Sequence, residues 1–246
     1  MHIGIIVIAT NKYIQFFDKL YTSLVKHFVA DRPDIHLTVF LFTDGKHTST
    51  IDPRINIITI HQAHEPWPNP TLFRYSWMVS NRHTIEKEDV THLFYVDVDS
   101  LIANPVSVRD LGIGSGKPLL AVHHPGFYQQ RSIGTPETRP SSRCYVDLDK
   151  HPDFVYVAGG FQGGVATMYL NAAVNMANAI QTDVAHGLIP LWHDESAWNA
   201  FVAKNRKLVH LATPELCYPE SWSDRMDKTL VPRIIALDKN HAEVRL

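Results

Sequence analysis

Along the first hundred residues, unbroken apolar runs alternate with stretches of helical periodicity. Ile3–Ala9 is a continuous apolar run, the mark of a strand buried on both faces. Thr10 and Asn11 follow as candidate helix N-caps, and Phe16, Phe17, Leu20, Leu24 and Phe28 then recur at helical spacing. Ile35–Phe42 predicts a second strand, ended by Asp44-Gly45, and Ile55–Ile60 a third. His61–Pro70 carries three prolines and a tryptophan and predicts a loop. Leu72–Glu86 predicts a helix, and Thr91–Val96 a further strand that runs straight into Asp97-Val98-Asp99. This order of elements predicts an α/β fold.

Beyond Pro105 the pattern loosens. Leu119–His123 reads as a strand and Gln129–Pro140 as a mobile polar loop. Phe154–Val157 and Gly163–Met168 read as short strands on either side of Gly159-Gly160. Asn171–Ile180 and Glu195–Val202 read as helices, Pro214–Arg225 as irregular, and Lys239–Arg245 as a polar tail.

The chain has 246 residues, 45% apolar and 20% charged, with a formal net charge of -2. That profile fits one globular unit and supplies no global field toward nucleic acid or an anionic membrane. An anionic ligand would therefore be held by local cations or a metal. The apolar N-terminal run is too short to span a bilayer and lacks a basic flank, so a cytoplasmic protein without a membrane span is expected. Cys144 and Cys217 are expected as two buried thiols, with one long-range disulfide as the alternative.

Asp97 and Asp99 stand at the carboxyl end of a buried strand, where open α/β sheets bind ligands. Two carboxylates there suit a hard divalent cation, which also takes phosphate oxygens. The plain alternative is a pair of solvated acids ending a strand. Haloacid-dehalogenase-type phosphatases also place Asp-x-Asp after an apolar strand. They prefer Thr or Val where Leu101 stands, and their motif lies near the N-terminus. Trp192-His193-Asp194-Glu195-Ser196 combines an aromatic that can pack on a sugar face with acids that can act at an anomeric centre. Taken alone, the cluster reads more simply as acids at a helix N-terminus. His123-His124-Pro125-Gly126 reads as a strand end and a turn, with His124 free to meet a polar ligand. The glycines of Val157–Gly164 do not make a dinucleotide fingerprint. They permit close approach of a ligand or of another backbone.

Taken in order, Phe42-Thr43-Asp44, Val96-Asp97-Val98-Asp99, His124-Pro125-Gly126-Phe127-Tyr128, Gly159-Gly160, Trp192-His193-Asp194-Glu195-Ser196, Lys239-Asn240-His241 and Val244-Arg245 resemble glycosyltransferase family 6. This is the family of the histo-blood-group A and B transferases and the α-1,3-galactosyltransferase. The resemblance implies a GT-A fold over residues 1–246, with a Rossmann-like nucleotide-sugar-binding half (1–104) fused to an acceptor-binding half (105–246) that ends in a closing tail. It implies retaining transfer of N-acetylgalactosamine or galactose from the UDP-sugar to the 3-hydroxyl of a galactoside, fucosylated by extension from the relatives.

Residue by residue, it implies donor contacts at Ile8, Ala9, Thr10, Tyr13, Arg74, Asp97, Val98, Asp99, Ala158, Gly159, Gly160, Asp194, Lys239 and Arg245. Asp97 and Asp99 would ligate Mn²⁺, with Mg²⁺ as the alternative. Acceptor contacts fall to His124, Thr135, Trp192 and Glu195, and Glu195 is the catalytic carboxylate. Many bacterial relatives carry asparagines in place of the aspartate pair, so the intact pair here implies metal dependence. Gly134-Thr135-Pro136-Glu137-Thr138-Arg139 departs from the family's usual Phe-Thr-Tyr-Glu-Arg-Arg. The absence of a membrane stem implies a microbial or viral source. A non-catalytic sugar-binding module is the competing class, and in it the diphosphate ligands would be coincidental.

Overall fold

The computed structural model describes residues 1–49, 52–222, 224 and 226–244, with His241 described by its backbone alone. Ten strands are assigned: β1 (His2–Ile8), β2 (His36–Thr43), β3 (Ile55–His61), β4 (His92–Val96), β5 (Ser100–Ile102), β6 (Leu119–His123), β7 (Val157–Val165), β8 (Val209–Ala212), β9 (Tyr218–Pro219) and β10 (Ile234–Ala236). Seven form one sheet in the order β3-β2-β1-β4-β7-β6-β8, and only β7 runs antiparallel to its neighbours. The sheet takes strands from both sides of residue 104. A small second sheet, β5-β10-β9, lies beyond the Asp-x-Asp motif, and nothing in the chain's periodicity pointed to it.

The helices are α1 (Phe17–His27), α2 (Asn69–Leu72), α3 (Arg74–Ser80), α4 (Arg82–Glu86), α5 (Ala166–Ala185), α6 (His193–Lys204) and α7 (His241–Val244). They cover both faces of the large sheet, which explains the unbroken apolar strands. On one face, Phe17, Leu20, Tyr21 and Leu24 of α1 pack on Ile5, Val7, Ala9, Val39, Leu41, Phe94 and Val96. On the other, Tyr75 and Met78 of α3, Tyr169 and Ala173 of α5 and Trp198 of α6 pack on Ile6, Ile8, Phe40, Phe42 and Tyr95. Strand alternation separates the two sets.

Three expectations need correction. The helix expected over Leu72–Glu86 is broken at Phe73 and Asn81, whose backbones leave the helical region. The Asn81 amide donates to the Trp77 carbonyl at 3.0 Å, a local bond that competes with the helix ladder. In place of the two strands expected at Phe154–Val157 and Gly163–Met168 there is one, β7, which runs through the glycines, and Ala166–Met168 belong to α5. A Cβ at Gly163 would lie 2.3 Å from the Leu93 carbonyl oxygen, so the close approach of β7 to β4 requires glycine there. Lastly, the segment expected as a mobile loop is tied down at its far end. Glu137 is buried, and its carboxylate accepts from the Arg139 side chain and from the Leu191 N–H at 3.0 Å. Cys144 and Cys217 are both thiols, and no helix among the described residues is long and apolar enough to cross a membrane.

Candidate active site

The sheet's connection reverses between β1 and β4: β2 lies on one side of β1, and the chain then crosses to place β4 on the other. A ligand crevice opens at the carboxyl ends of such a pair. Here it is a cleft whose wall includes Ile8, Thr10 and Tyr13 at and after the end of β1, and Tyr95, Asp97, Val98 and Asp99 at and after the end of β4. Arg74 and Lys239 also line it, with His64, Trp67 and Thr71 from the loop and turn before α3. Ala9 does not. Alternation turns its side chain into the core under α1, and its carbonyl accepts from Thr43 Oγ1 at 2.7 Å.

Tyr95 and Asp97 share the strand face covered by α3. The Tyr95 hydroxyl donates to Asp97 Oδ1 at 2.6 Å, and the Asp97 N–H donates to the Gly160 carbonyl at 2.9 Å. Arg74, buried at the start of α3, stacks over the Tyr95 ring at 4.1 Å. Its guanidinium reaches Asp97 Oδ1 at 3.4 Å, Asp194 Oδ2 at 3.0 Å and the Gly159 carbonyl at 3.1 Å. One cation thus joins the cleft wall to the acid pair on α6. Asp99 is ion-paired with Lys239, whose ammonium also lies 5.5 Å from the Tyr13 ring centroid. Arg245 lies outside the described residues.

Asp194 and Glu195 occupy the first turn of α6, where the helix dipole favours negative charge. Burial raises the Asp194 carboxyl above the ordinary range, against the opposing pull of Arg74. Burial also raises Glu195, opposed by hydrogen bonds from Tyr156 and from the Gly159 N–H. The two bonds take one oxygen each: Tyr156 Oη donates to Oε1 at 2.8 Å and Gly159 N to Oε2 at 2.9 Å. Ala158 is buried in β7 between Tyr156 and these glycines. Gly160 lies against Asp97: a Cβ there would sit 2.9 Å from Asp97 Oδ2 and 3.3 Å from Cys217 Sγ.

Of the expected acceptor residues, His124 and Thr135 meet Tyr156, the hydrogen-bond partner of Glu195, and the Trp192 carbonyl accepts from the Glu195 N–H at 3.0 Å. His124 packs on Phe127 and Tyr156, and burial pushes its imidazole down to about 4, so it is neutral in ordinary buffers. The exposed Thr135 hydrogen-bonds the Tyr156 side chain. Trp192 is exposed and immediately precedes α6, and its N–H donates to Ser196 Oγ at 2.8 Å. Tyr95 and Tyr156 were missed from sequence, yet each stands two residues before a singled-out position, Asp97 and Ala158, on the same strand face. His64 and Trp67 lie in the proline-rich His61–Pro70 loop, whereas Thr71 and Cys217 carried no pattern that pointed to the site.

Among the described residues no group of three or more His, Cys, Asp or Glu side chains is arranged to hold a metal.

Comparison with known proteins follows this geometry. The family model described as glycosyltransferase family 6 matches residues 1–246. The histo-blood group ABO system transferase 1 of Rattus norvegicus is 28% identical over 252 residues, 99% of this chain and 68% of that protein. The O-antigen biosynthesis glycosyltransferase WbnI of Escherichia coli is 28% identical over 237 residues, 95% of this chain and 94% of its own length. The globoside α-1,3-N-acetylgalactosaminyltransferase 1 of Mus musculus is 31% identical over 209 residues, 80% of this chain and 55% of its own.

Proposed function

This chain belongs to glycosyltransferase family 6, and we propose that it moves N-acetylgalactosamine or galactose from the UDP-sugar to the 3-hydroxyl of a galactoside acceptor, with retention and with Mn²⁺ at the diphosphate. Family membership sets aside the phosphatase and the non-catalytic sugar-binding module. The observation that carries the reading is Arg74, which links Asp97 on the cleft wall to Asp194 and Gly159 beside Glu195. A diphosphate held at Asp97 and Asp99 directs the donor sugar toward the two glycines and Glu195.

Asp97 and Asp99 are the residues that would hold the ion. Their chemistry suits Mn²⁺ or Mg²⁺: both offer carboxylate oxygens only, and a cation, the Lys239 ammonium, already rests on Asp99. When bound, such an ion offsets charge on the departing diphosphate. Tyr95 and Arg74 occupy Oδ1 of Asp97 and so fix how its other oxygen is presented. Ile8, Thr10 and Tyr13 receive the uridine, and Lys239 adds positive charge to the phosphate side. Arg74 holds Asp194 for the donor-sugar hydroxyls. Glu195 stabilises the oxocarbenium-like centre or attacks it, with both oxygens oriented in advance. His124, Thr135 and Trp192 meet the acceptor.

Gly160 supports N-acetylgalactosamine over galactose, because a side chain there would crowd the space beside Asp97. The activity that names the globoside α-1,3-N-acetylgalactosaminyltransferases supports the same sugar and the α-1,3 linkage. The test is incubation with both UDP-sugars, Mn²⁺ and galactosides. UDP release coupled to a new α-1,3-linked product is expected. Release of inorganic phosphate without glycosyl transfer would overturn the reading.

A further inference from the structure

Asp99 is asked to hold an ion, yet the chain already sets a charge of its own against it. Asp99 is buried, and the Lys239 ammonium rests on its Oδ2. The two side chains are 9% and 18% exposed, so water and salt screen the pair little. The backbone that carries Lys239 is fastened on both sides. Before it, the Leu237 N–H donates to the Asp99 carbonyl at 2.8 Å and the Asp238 N–H to Glu220 Oε2 at 2.8 Å. Beyond it, the Lys12 ammonium donates to the Glu243 carbonyl at 3.1 Å, and Val244 is buried. Lys239 thus reaches Asp99 from docked backbone, with its ammonium 5.5 Å from the Tyr13 ring centroid.

A divalent ion and an ammonium on one carboxylate repel each other at contact range, and poor screening keeps that repulsion strong. The ammonium must therefore leave Asp99 when the ion arrives. The docked backbone keeps it close: a compact charge on a flexible four-carbon stem can swing from one anion to another while its Cα stays in place. The anion within reach is a diphosphate, entering the cleft that Tyr13, Asp99 and Lys239 all line. We propose that Lys239 is an exchangeable internal cation, which neutralises Asp99 until a divalent ion and a nucleoside diphosphate arrive, and then passes from the carboxylate to the phosphates. The inference rests on the metal-dependent donor reading and deepens it. An ion that comes alone is disfavoured, because it displaces Lys239 into water. An ion that comes with a diphosphate is accepted, because Lys239 gains a new partner. Lys239 therefore couples the two ligands, and by linkage each strengthens the binding of the other by the same factor.

The test is Mn²⁺ binding by the full chain, followed through the paramagnetic resonance signal of the unbound ion, with and without UDP. Wild type is expected to bind Mn²⁺ weakly alone and far more tightly with UDP. Lys239→Gln keeps a polar side chain and removes the charge. Without UDP it is expected to bind Mn²⁺ about tenfold tighter than wild type, the scale of a typical coupling between two sites. With UDP that gain is expected to vanish or reverse, so that the strengthening by UDP shrinks by about tenfold or more. Unchanged Mn²⁺ affinity of Lys239→Gln without UDP, or a gain of the same size with and without UDP, would overturn the exchange and leave the metal reading standing. If Mn²⁺ does not bind wild type even with UDP, the metal reading falls and the exchange falls with it.

Discussion

Tyr156 donates its hydroxyl to Oε1 of Glu195 at 2.8 Å, on the side opposite the Gly159 N–H, so the carboxylate has one orientation. Tyr156→Phe keeps the ring contacts with His124, Phe127 and Phe154 and removes the hydroxyl's bonds to Glu195 and Thr135. A lost hydrogen bond of about 1–1.5 kcal/mol predicts a kcat about tenfold lower, with the donor KM unchanged. In a Glu195→Gln background the same change should have little further effect, because Tyr156 acts through Glu195. Steady-state kinetics of the single and double variants check this; a full multiplicative loss would contradict it.

Arg74 is a buried cation on which Asp194 depends. Arg74→Met leaves that carboxylate without its partner and should destabilise the protein by about 3–5 kcal/mol. Adding Asp194→Asn should recover much of the stability and none of the activity, since the donor-side link through Asp97 stays broken. Urea midpoints of the two variants, read beside transfer rates, decide the point.

The large sheet and the site at its edge were legible because buried parallel strands show themselves as unbroken apolar runs, and Asp97 and Asp99 sit at the end of one. Side-chain facing was less legible. Ala9 lies between two cleft residues, Ile8 and Thr10, and alternation alone removes it from the wall. Tyr95 and Tyr156 look like ordinary aromatic strand residues; their function resides in where the hydroxyls end. Arg139 and Glu137 form a pair two residues apart whose meaning depends on Leu191, which is distant in sequence and leaves no local pattern. The break at Asn81 was hidden for the opposite reason: apolar spacing runs on through it while a single amide diverts the backbone.

Glu137 gives the fold an acid-sensitive anchor. The Arg139 side chain, first among its partners, holds its carboxyl down to about 2. The folded value lies below the unfolded one of about 4.3, so the stabilisation is complete above that pH and is lost as pH falls toward about 2. Glu137→Gln should lower stability at neutral pH and weaken the acid dependence across this window. Chemical denaturation from neutral pH downward tests it, and an unchanged acid slope in the variant would contradict it.

Gly160 sets donor choice in this account. Gly160→Ala places a methyl group against Asp97 Oδ2, which Tyr95 and Arg74 prevent from turning aside. The variant should lose turnover of UDP-N-acetylgalactosamine by about tenfold or more relative to UDP-galactose, on the scale of one unfavourable pocket contact. Wild-type protein given equal amounts of both donors should favour UDP-N-acetylgalactosamine. Equal or faster use of UDP-galactose would sink that preference.

The central claim is that Asp97 and Asp99 hold a divalent ion at the donor diphosphate during glycosyl transfer. The most direct measurement is transfer from the UDP-sugar to a galactoside by chelated protein, before and after Mn²⁺ is restored, for wild type, Asp97→Asn and Asp99→Asn. Wild type is expected to be inactive in chelator and to recover with Mn²⁺, while neither variant is stimulated by the metal. Full transfer by the wild type in chelator would contradict it.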